Sequence, residues 1–515
     1  MEKKMITRLS VLTLLLAFFV SCSQDKGYIN VIPADATVVA SFHFKTLAEK
    51  AGLNDKEDEA TKQKLLEAIK TEINAATYQQ LEKILHQPDE SGIDVAAPVY
   101  VFSSPSFPYT TLVAKVNSEE DLRHSLNLMA KEDICQPVEE TETYRFSTAK
   151  GGILSFNEST AILVNVKRTA QLEQVKEGIA QLMLQNAENS IASCRVFTKM
   201  EEQDNDINFF ADTHAKPSPE LAQYTKMIPS ELNPQEVKVM GGLDFEKGEI
   251  LLKGSFYTEN EEAQALLEKR MDAMDEIKGT FYDYFPASTI LFGSVHLNGD
   301  KFYSLLSESK EFRQSVSVAK AEALNQVFKA VKGDISVGVV NVNLTKAPAF
   351  ILYADFNDGK ILQQIYQNKK DLNLKRGEDL LELSPNEYVY KSREMNVFYG
   401  IKDKKFYATN DELLYQNIGK PADKSVKETT YASDMKGESL YAVINANAIL
   451  ELPVVKMAAG FGGKRTEALI KQVGQIDYFS FSFGDNRFQY KISLKDKDVN
   501  ALKQLKEFAR LLTHL

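Results

Sequence analysis

The chain repeats itself, and this bounds the folds open to it. Asp94 to Asn117 and Asp334 to Asn357 align without a gap over 24 residues, opening and closing on the same residue types. An earlier pair repeats too. Pro33-Ala-Asp-Ala-Thr-Val-Val-Ala-Ser-Phe-His43 matches Pro286-Ala-Ser-Thr-Ile-Leu-Phe-Gly-Ser-Val-His296, at a slightly wider offset that extra residues around Asn54 to Lys64 account for. Tyr144-Arg-Phe matches Tyr388-Val-Tyr, and Phe245 to Lys253 matches Phe483 to Lys491. A self-similar stretch this long is a domain-sized unit used twice. The boundaries read as 28–278 for the first copy and 279–515 for the second. A length of 515 residues exceeds one ordinary core.

Periodicity sets the class of each copy. Val38, Ala40, Phe42 and Phe44 alternate as in a strand, and Leu65, Leu66, Ile69 and Ile73 are spaced as on a helix. Paired strands follow at about Val99–Phe102 and Thr111–Val116, then Tyr144–Ser147, Gly152–Phe156 and Ala161–Val166. Ser118 followed by Glu119, Glu120 and Asp121 opens a helix, its hydroxyl a cap and its acids favourable to the dipole. A second amphipathic helix spans Thr169 to Leu184, and each copy closes on a hairpin. Strands joined by tight turns with helices between pairs predict α+β units, mainly antiparallel sheet with helices on one face.

The N-terminus predicts a compartment. Lys3, Lys4 and Arg8 precede an apolar run from Leu9 to Val20, then Ser21 and Cys22. The run is too short to span a bilayer and reads as a signal peptide, 1–21, ending at a lipoprotein-type cysteine. Cys22 is the expected lipidation site, carrying palmitate-type acyl chains, with 22–27 as a tether. Acyl methylenes are worth about 0.8 kcal/mol each on burial, so several chains hold firmly. The expected location is the cell envelope, on the outer membrane.

Together the lipobox, the opening Tyr28-Ile-Asn-Val-Ile-Pro-Ala-Asp-Ala36 and the two long copies resemble a family of Bacteroidota lipoproteins known as a domain of unknown function. The resemblance implies an envelope location and lipidation. It implies no activity and no catalytic residues.

Charge and composition exclude several classes. Net charge is -11, so the chain is a poor partner for nucleic acid, whose binding rests on neutralised phosphates. The membrane is expected to be met through lipid rather than electrostatics. Tryptophan is absent, which weighs against a glycan-binding platform. Cys135 and Cys194 could pair in an oxidising compartment or stay free. No Cys/His spacing suits zinc, and neither a cofactor nor a metal is expected.

The motifs are few. Gly460-Phe-Gly-Gly-Lys-Arg-Thr466 has Arg465 where a phosphate loop needs its hydroxyl, and reads as a helix stop and turn. His43 and His296 share a repeat position, so each could be a ligand or proton donor, or a polar-face residue bonding across the sheet. Tyr388, Phe398, Tyr399, Phe406 and Tyr407 read as cross-strand aromatic pairs. Leu452 to Phe461, with Val455, Met457 and Phe461, reads foremost as core, otherwise as the wall of an apolar cleft or a partner patch. The readings of function are a non-enzymatic binding or scaffolding lipoprotein, a carrier of apolar ligands such as a lipid or acyl chain, and a hydrolase working through His43 or His296.

Overall fold

The computed structural model describes residues 26–53, 59, 62–63, 66–67, 69–70, 73–166, 171–212, 236–308, 310–316, 318–342, 347–356, 360–372, 374–461 and 463–513. Cys22, the leader and most of the acidic stretch Asp55 to Glu59 lie outside them. The described residues divide into two compact units. The first falls within 1–222, 237–247 and 499–511, the second within 223–236, 248–498 and 512–515. The sequence reading keeps each copy contiguous, whereas here residues 248–278 lie in the second unit and 499–511 in the first. Each unit is α+β around antiparallel sheet.

The first unit contains β1 (Val38–Phe42), β2 (Ile93–Asp94), β3 (Val99–Ser103), β4 (Thr111–Val116), β5 (Glu139–Glu140), β6 (Arg145–Ala149), β7 (Gly152–Phe156), β8 (Thr160–Asn165), β9 (Ile207–Asp212) and β10 (Lys238–Glu246). Hydrogen bonding orders them β10-β9-β1-β3-β4-β8-β7-β6-β5, with β2 also on β4. Its helices include α1 (Ala75–His86), α2 (Glu119–Lys131) and α3 (Leu172–Met183).

Helices cover both faces of this sheet, not one. Tyr144 and Phe146 meet α3, the Tyr144 hydroxyl donating to the Lys176 carbonyl at 3.0 Å and Lys176 Nζ lying 4.5 Å from the Phe146 ring centre. On the opposite face, Ala114, Phe156 and Ala161 pack in one core with Leu122, Leu126 and Met129 of α2. The reason lies in β6, where neighbouring Phe146 and Ser147 are both buried although strand geometry sends them to opposite sides.

Within the second unit, strands β11 (Glu249–Tyr257), β12 (Met274–Asp275), β13 (Leu291–Asn298), β14 (Val331–Asn341), β15 (Ala349–Phe356), β16 (Asp379–Ser384), β17 (Glu387–Lys391), β18 (Asn396–Lys402), β19 (Lys405–Thr409), β20 (Leu440–Asn445), β21 (Ile476–Gly484) and β22 (Arg487–Leu494) form one sheet. Its order is β11-β22-β21-β20-β13-β14-β15-β19-β18-β17-β16, with β12 also on β13. The pairing of β11 with β22 draws residues 248–278 into this unit. Asp485 and Asn486 take positive φ, 50° and 58°, as the two-residue turn between β21 and β22 requires. The helices used below are α4 (Lys360–Gln367), α5 (Pro453–Phe461) and α6 (Gly463–Val473).

One glycine governs how α2 seats on the first sheet. Ser118 caps the helix, its hydroxyl accepting from the Asp121 amide at 3.2 Å. Ser118 and Asn117 amides both donate to the Gly92 carbonyl. Gly92 has φ +87°, and a Cβ there would stand 2.4 Å from the Leu122 nitrogen and 2.5 Å from the Ser118 oxygen. Only glycine satisfies both the torsion and the approach. Gly92→Ala is expected to destabilise the first unit by more than about 2 kcal/mol, read from chemical unfolding, with α2 the first element to lose hydrogen-exchange protection.

Candidate functional site

The first unit carries an apolar cavity of about 450 Å³ between α2 and the sheet. The sheet supplies Val99 and Val101 from β3, Leu112 and Ala114 from β4, Ala161 and Leu163 from β8, Leu154 from β7, and Ser147 and Ala149 from β6. Antiparallel register sets them side by side: Leu112 faces Leu163, Leu163 faces Leu154, and Leu154 faces Ser147. Leu122, Leu126 and Met129 of α2 close the other side, with Cys135 at the helix end.

The polar atoms of this wall are turned to other tasks. The Ser147 hydroxyl donates to the Gln136 carbonyl at 2.6 Å, and the Cys135 thiol to the Leu126 carbonyl at 3.4 Å. Ser91 accepts from the Ile93 amide, and Ser125 from the Gln80 side chain. Burial pushes the Cys135 thiol above its ordinary pKa, against reactivity. What faces the space is hydrocarbon, and an apolar space of this size takes apolar matter rather than ordered water. Exposed Thr110, Lys150, Gly151 and Asn165 mark its mouth. A second opening in this unit, about 730 Å³, is lined by charges of both signs and converges on no single chemistry.

The repeat histidines do not form matching sites. His43 lies just past β1, its amide donating to the Asp206 carbonyl at 3.1 Å. His296 stays inside β13, opposite Asp334 of β14, with Nδ1 2.8 Å from the carboxylate Oδ1. A charged carboxylate only accepts, so Nδ1 carries the proton. Asp334 is fully buried. Burial disfavours its charge, but the amides of Thr280 and Lys278 and the His296 ring outweigh this and hold it below its ordinary pKa. Asp355 accepts from the Asp334 amide at 3.1 Å; burial pushes its own pKa up. In the first unit, Asp94 has Lys115 as its partner, at 3.3 Å. Cross-sheet hydrogen bonding thus holds for His296. His43 lines neither of the two cavities described above.

The stretch from Leu452 to Phe461 is not core. It forms α5, which packs on α6 and leaves Met457 61% and Phe461 86% exposed, while Val455 is half-buried. The sequence of α5 is apolar on most sides, and packing against α6 leaves Met457 and Phe461 outward. Of the glycine segment, Gly460 and Phe461 end α5 and Gly463, at φ +69°, opens α6, while Gly462 lies outside the described residues.

The tyrosine-rich segment is interior packing, as cross-strand pairing predicts. Tyr388 and Tyr399 stack at 5.7 Å between ring centres, and Phe356 meets Phe406 at 5.6 Å. Cys135 and Cys194 are both free thiols. Among the described residues, no cluster of three His, Cys, Asp or Glu suits a metal, and no helix is long and apolar enough to cross a membrane. Sequence reading missed the cavity. Its signal was the small residues Ser147, Ala149 and Ala161, spread over two strands and informative only once register is known.

A sequence family described as a domain of unknown function, DUF4836, matches residues 28–502, and the chain belongs to that family. No curated protein matches it. Solved structures of TP0453 are similar in part. Crystal form IV is 13% identical and covers 45% of this chain and 81% of its own; form III is 12% identical and covers 50% and 91%. Form I is 12% identical and covers 49% and 87%. All three have a TM-score of 0.25, too low to bear on the site.

The buried Asp334 supplies a pH test. Its carboxyl is held down in the folded unit, so its stabilisation is complete above the unfolded value near ~3.9 and is lost as pH falls through the folded value. Asp334→Asn is expected to destabilise the second unit by about 2–3 kcal/mol at pH 7. The gap to wild type should close in acid, as measured by urea unfolding across pH.

Proposed function

We propose that this DUF4836 protein is a lipid-anchored envelope protein, made of two copies of one α+β unit, that holds an apolar ligand in its first unit. The observation carrying the reading is the cavity of about 450 Å³ under α2, within the size range of small-molecule sites and walled by hydrocarbon.

Matching topology supports the two-copy reading. From β10 through β9, β1, β3, β4, β8, β7 and β6 to β5, the first order runs parallel to β21 through β20, β13, β14, β15, β19, β18 and β17 to β16. Isolated bridges recur too: Pro33 with Ser190, and Pro286 with Ser425. Beside them the Ile191 amide donates to Ile32, and the Val426 amide to Phe285. The copies differ in that β2 and β3 are separated by Val95 to Pro98, where β14 is continuous.

Lipidation at Cys22 rests on the basic start, the apolar run and Ser21 before the cysteine. A mature chain beginning at an acylated Cys22 would sit in the envelope, with the outer membrane as the assigned site.

Full-length protein extracted gently from membranes of its native host is expected to carry a stoichiometric apolar molecule in native mass spectrometry. After stripping, it should bind the neutral probe N-phenyl-1-naphthylamine. A stripped, folded protein that binds neither this probe nor a long-chain fatty acid would sink the reading.

A second reading has its own observation, the outward Met457 and Phe461. Scaffolding through α5 predicts that Phe461→Ser abolishes co-purification of an envelope protein while changing stability by less than about 0.5 kcal/mol. Unchanged co-purification would remove α5 from contention.

A further inference from the structure

The second unit sets aromatic rings where the first lines its cavity with small side chains, and the pairing registers identify them. In the first unit the row runs Leu112, Leu163, Leu154, Ser147 across four strands. The corresponding row in the second unit runs Leu352, Ala408, Tyr399, Tyr388. One step along, Ala114 faces Ala161, where Ala354 faces Phe406. Above the row, Leu126 of α2 corresponds in position to Tyr366 of α4. Tyr366 and Tyr388 lie 5.2 Å apart between ring centres, next to the Tyr388–Tyr399 stack. The exchange is not uniform, since Leu163 stands against Ala408, but the bulky rings belong to the second unit. Ser147 and Ala161 are therefore the residues whose small size keeps the first cavity open.

The wall also selects its occupant. Phe44 is the one aromatic side chain lining the cavity, so no pair of ring faces awaits a planar ligand. The inner hydroxyls of Ser147, Ser91 and Ser125 each already bond within the protein, and the rest of the depth is hydrocarbon. Among the lining residues Lys150 is the one that carries charge, and it is exposed at the mouth beside Gly151, whose φ is +97°. The space thus suits a flexible aliphatic body with a negative end.

We infer that the first unit binds a single acyl chain with an anionic head group, the chain lying between α2 and Ala161 and the head at Lys150. This rests on the apolar-ligand reading above and narrows it. A fatty-acid carboxylate and a lysophospholipid phosphate present the same chemistry, and competition distinguishes them.

The test uses delipidated full-length protein and cis-parinaric acid, a fatty acid whose own chain fluoresces, displaced by palmitate, by lysophosphatidic acid or by uncharged dodecanol. Wild type is expected to bind the probe, and whichever anionic competitor displaces it at lower concentration identifies the head group. Ala161→Phe and Ser147→Tyr, which place the second unit's side chains in the first, should each weaken binding by more than about tenfold, since displacing even two chain methylenes costs that much. Should these variants fail to fold, Lys150→Glu at the exposed mouth remains. It should weaken the anionic competitors about threefold, as an exposed ion pair allows, and leave dodecanol unchanged. If wild type binds the probe and folded Ala161→Phe binds it equally, the ligand lies elsewhere and this assignment falls while the apolar-ligand reading stands. Dodecanol and palmitate affected alike by Lys150→Glu would overturn the head-group assignment. A wild type that binds N-phenyl-1-naphthylamine but not cis-parinaric acid overturns the acyl assignment; failure with both probes overturns the parent reading as well.

Discussion

The antiparallel hydrogen-bond ladder decides which side chains meet, and the rest of each unit depends on it. A slip of one residue would send every side chain of a strand to the other face. The first cavity exists because register brings Ser147, Leu154, Leu163 and Leu112 into one row under α2. The same register in the second unit brings Tyr388 and Tyr399 together as a ring stack. Similar ladders thus carry small side chains under α2 in one unit and aromatic rings under α4 in the other, a difference in side-chain volume at a few paired positions.

The aligned aspartates Asp94 and Asp334 are both buried, and each unit answers the cost differently. Asp94 has Lys115 across the β2–β4 pair, with the amides of Ala96 and Ala97 on its Oδ1. Asp334 has His296 and two amides, with a second acid, Asp355, at the position that Lys115 holds in the gapless sequence alignment. A buried carboxylate needs several donors at close range, and both units supply them mainly from the backbone. The shared histidine position therefore does not mean a shared role: the first unit meets the charge with lysine, and His43 stands beyond its strand.

Much of the local structure was legible. Strands β3, β4 and β7, the Ser118 cap and the β21–β22 hairpin follow from alternation, capping chemistry and turn residues, which act over a few neighbours. String similarity misled where it ignored faces. Tyr144-Arg-Phe and Tyr388-Val-Tyr look alike, yet Tyr144 reaches α3 while Tyr388 meets Tyr366 of α4 on the row corresponding to Ser147. The apolar stretch from Leu452 to Phe461 misled in another way: hydropathy measures what a helix could bury, not whether a neighbour arrives to bury it.

The sequence by itself determined the α+β class, the element types, the internal similarity and the acidic character, because propensity, periodicity and charge are carried by residues close together in the chain. Only the tertiary structure decided that β11 pairs with β22, that helices cover both faces of the first sheet, that Met457 and Phe461 point outward, and that Ser147 and Ala161 border a cavity. These depend on pairing register and on packing between segments far apart in sequence, and a change of one position in register alters which side chains share a face.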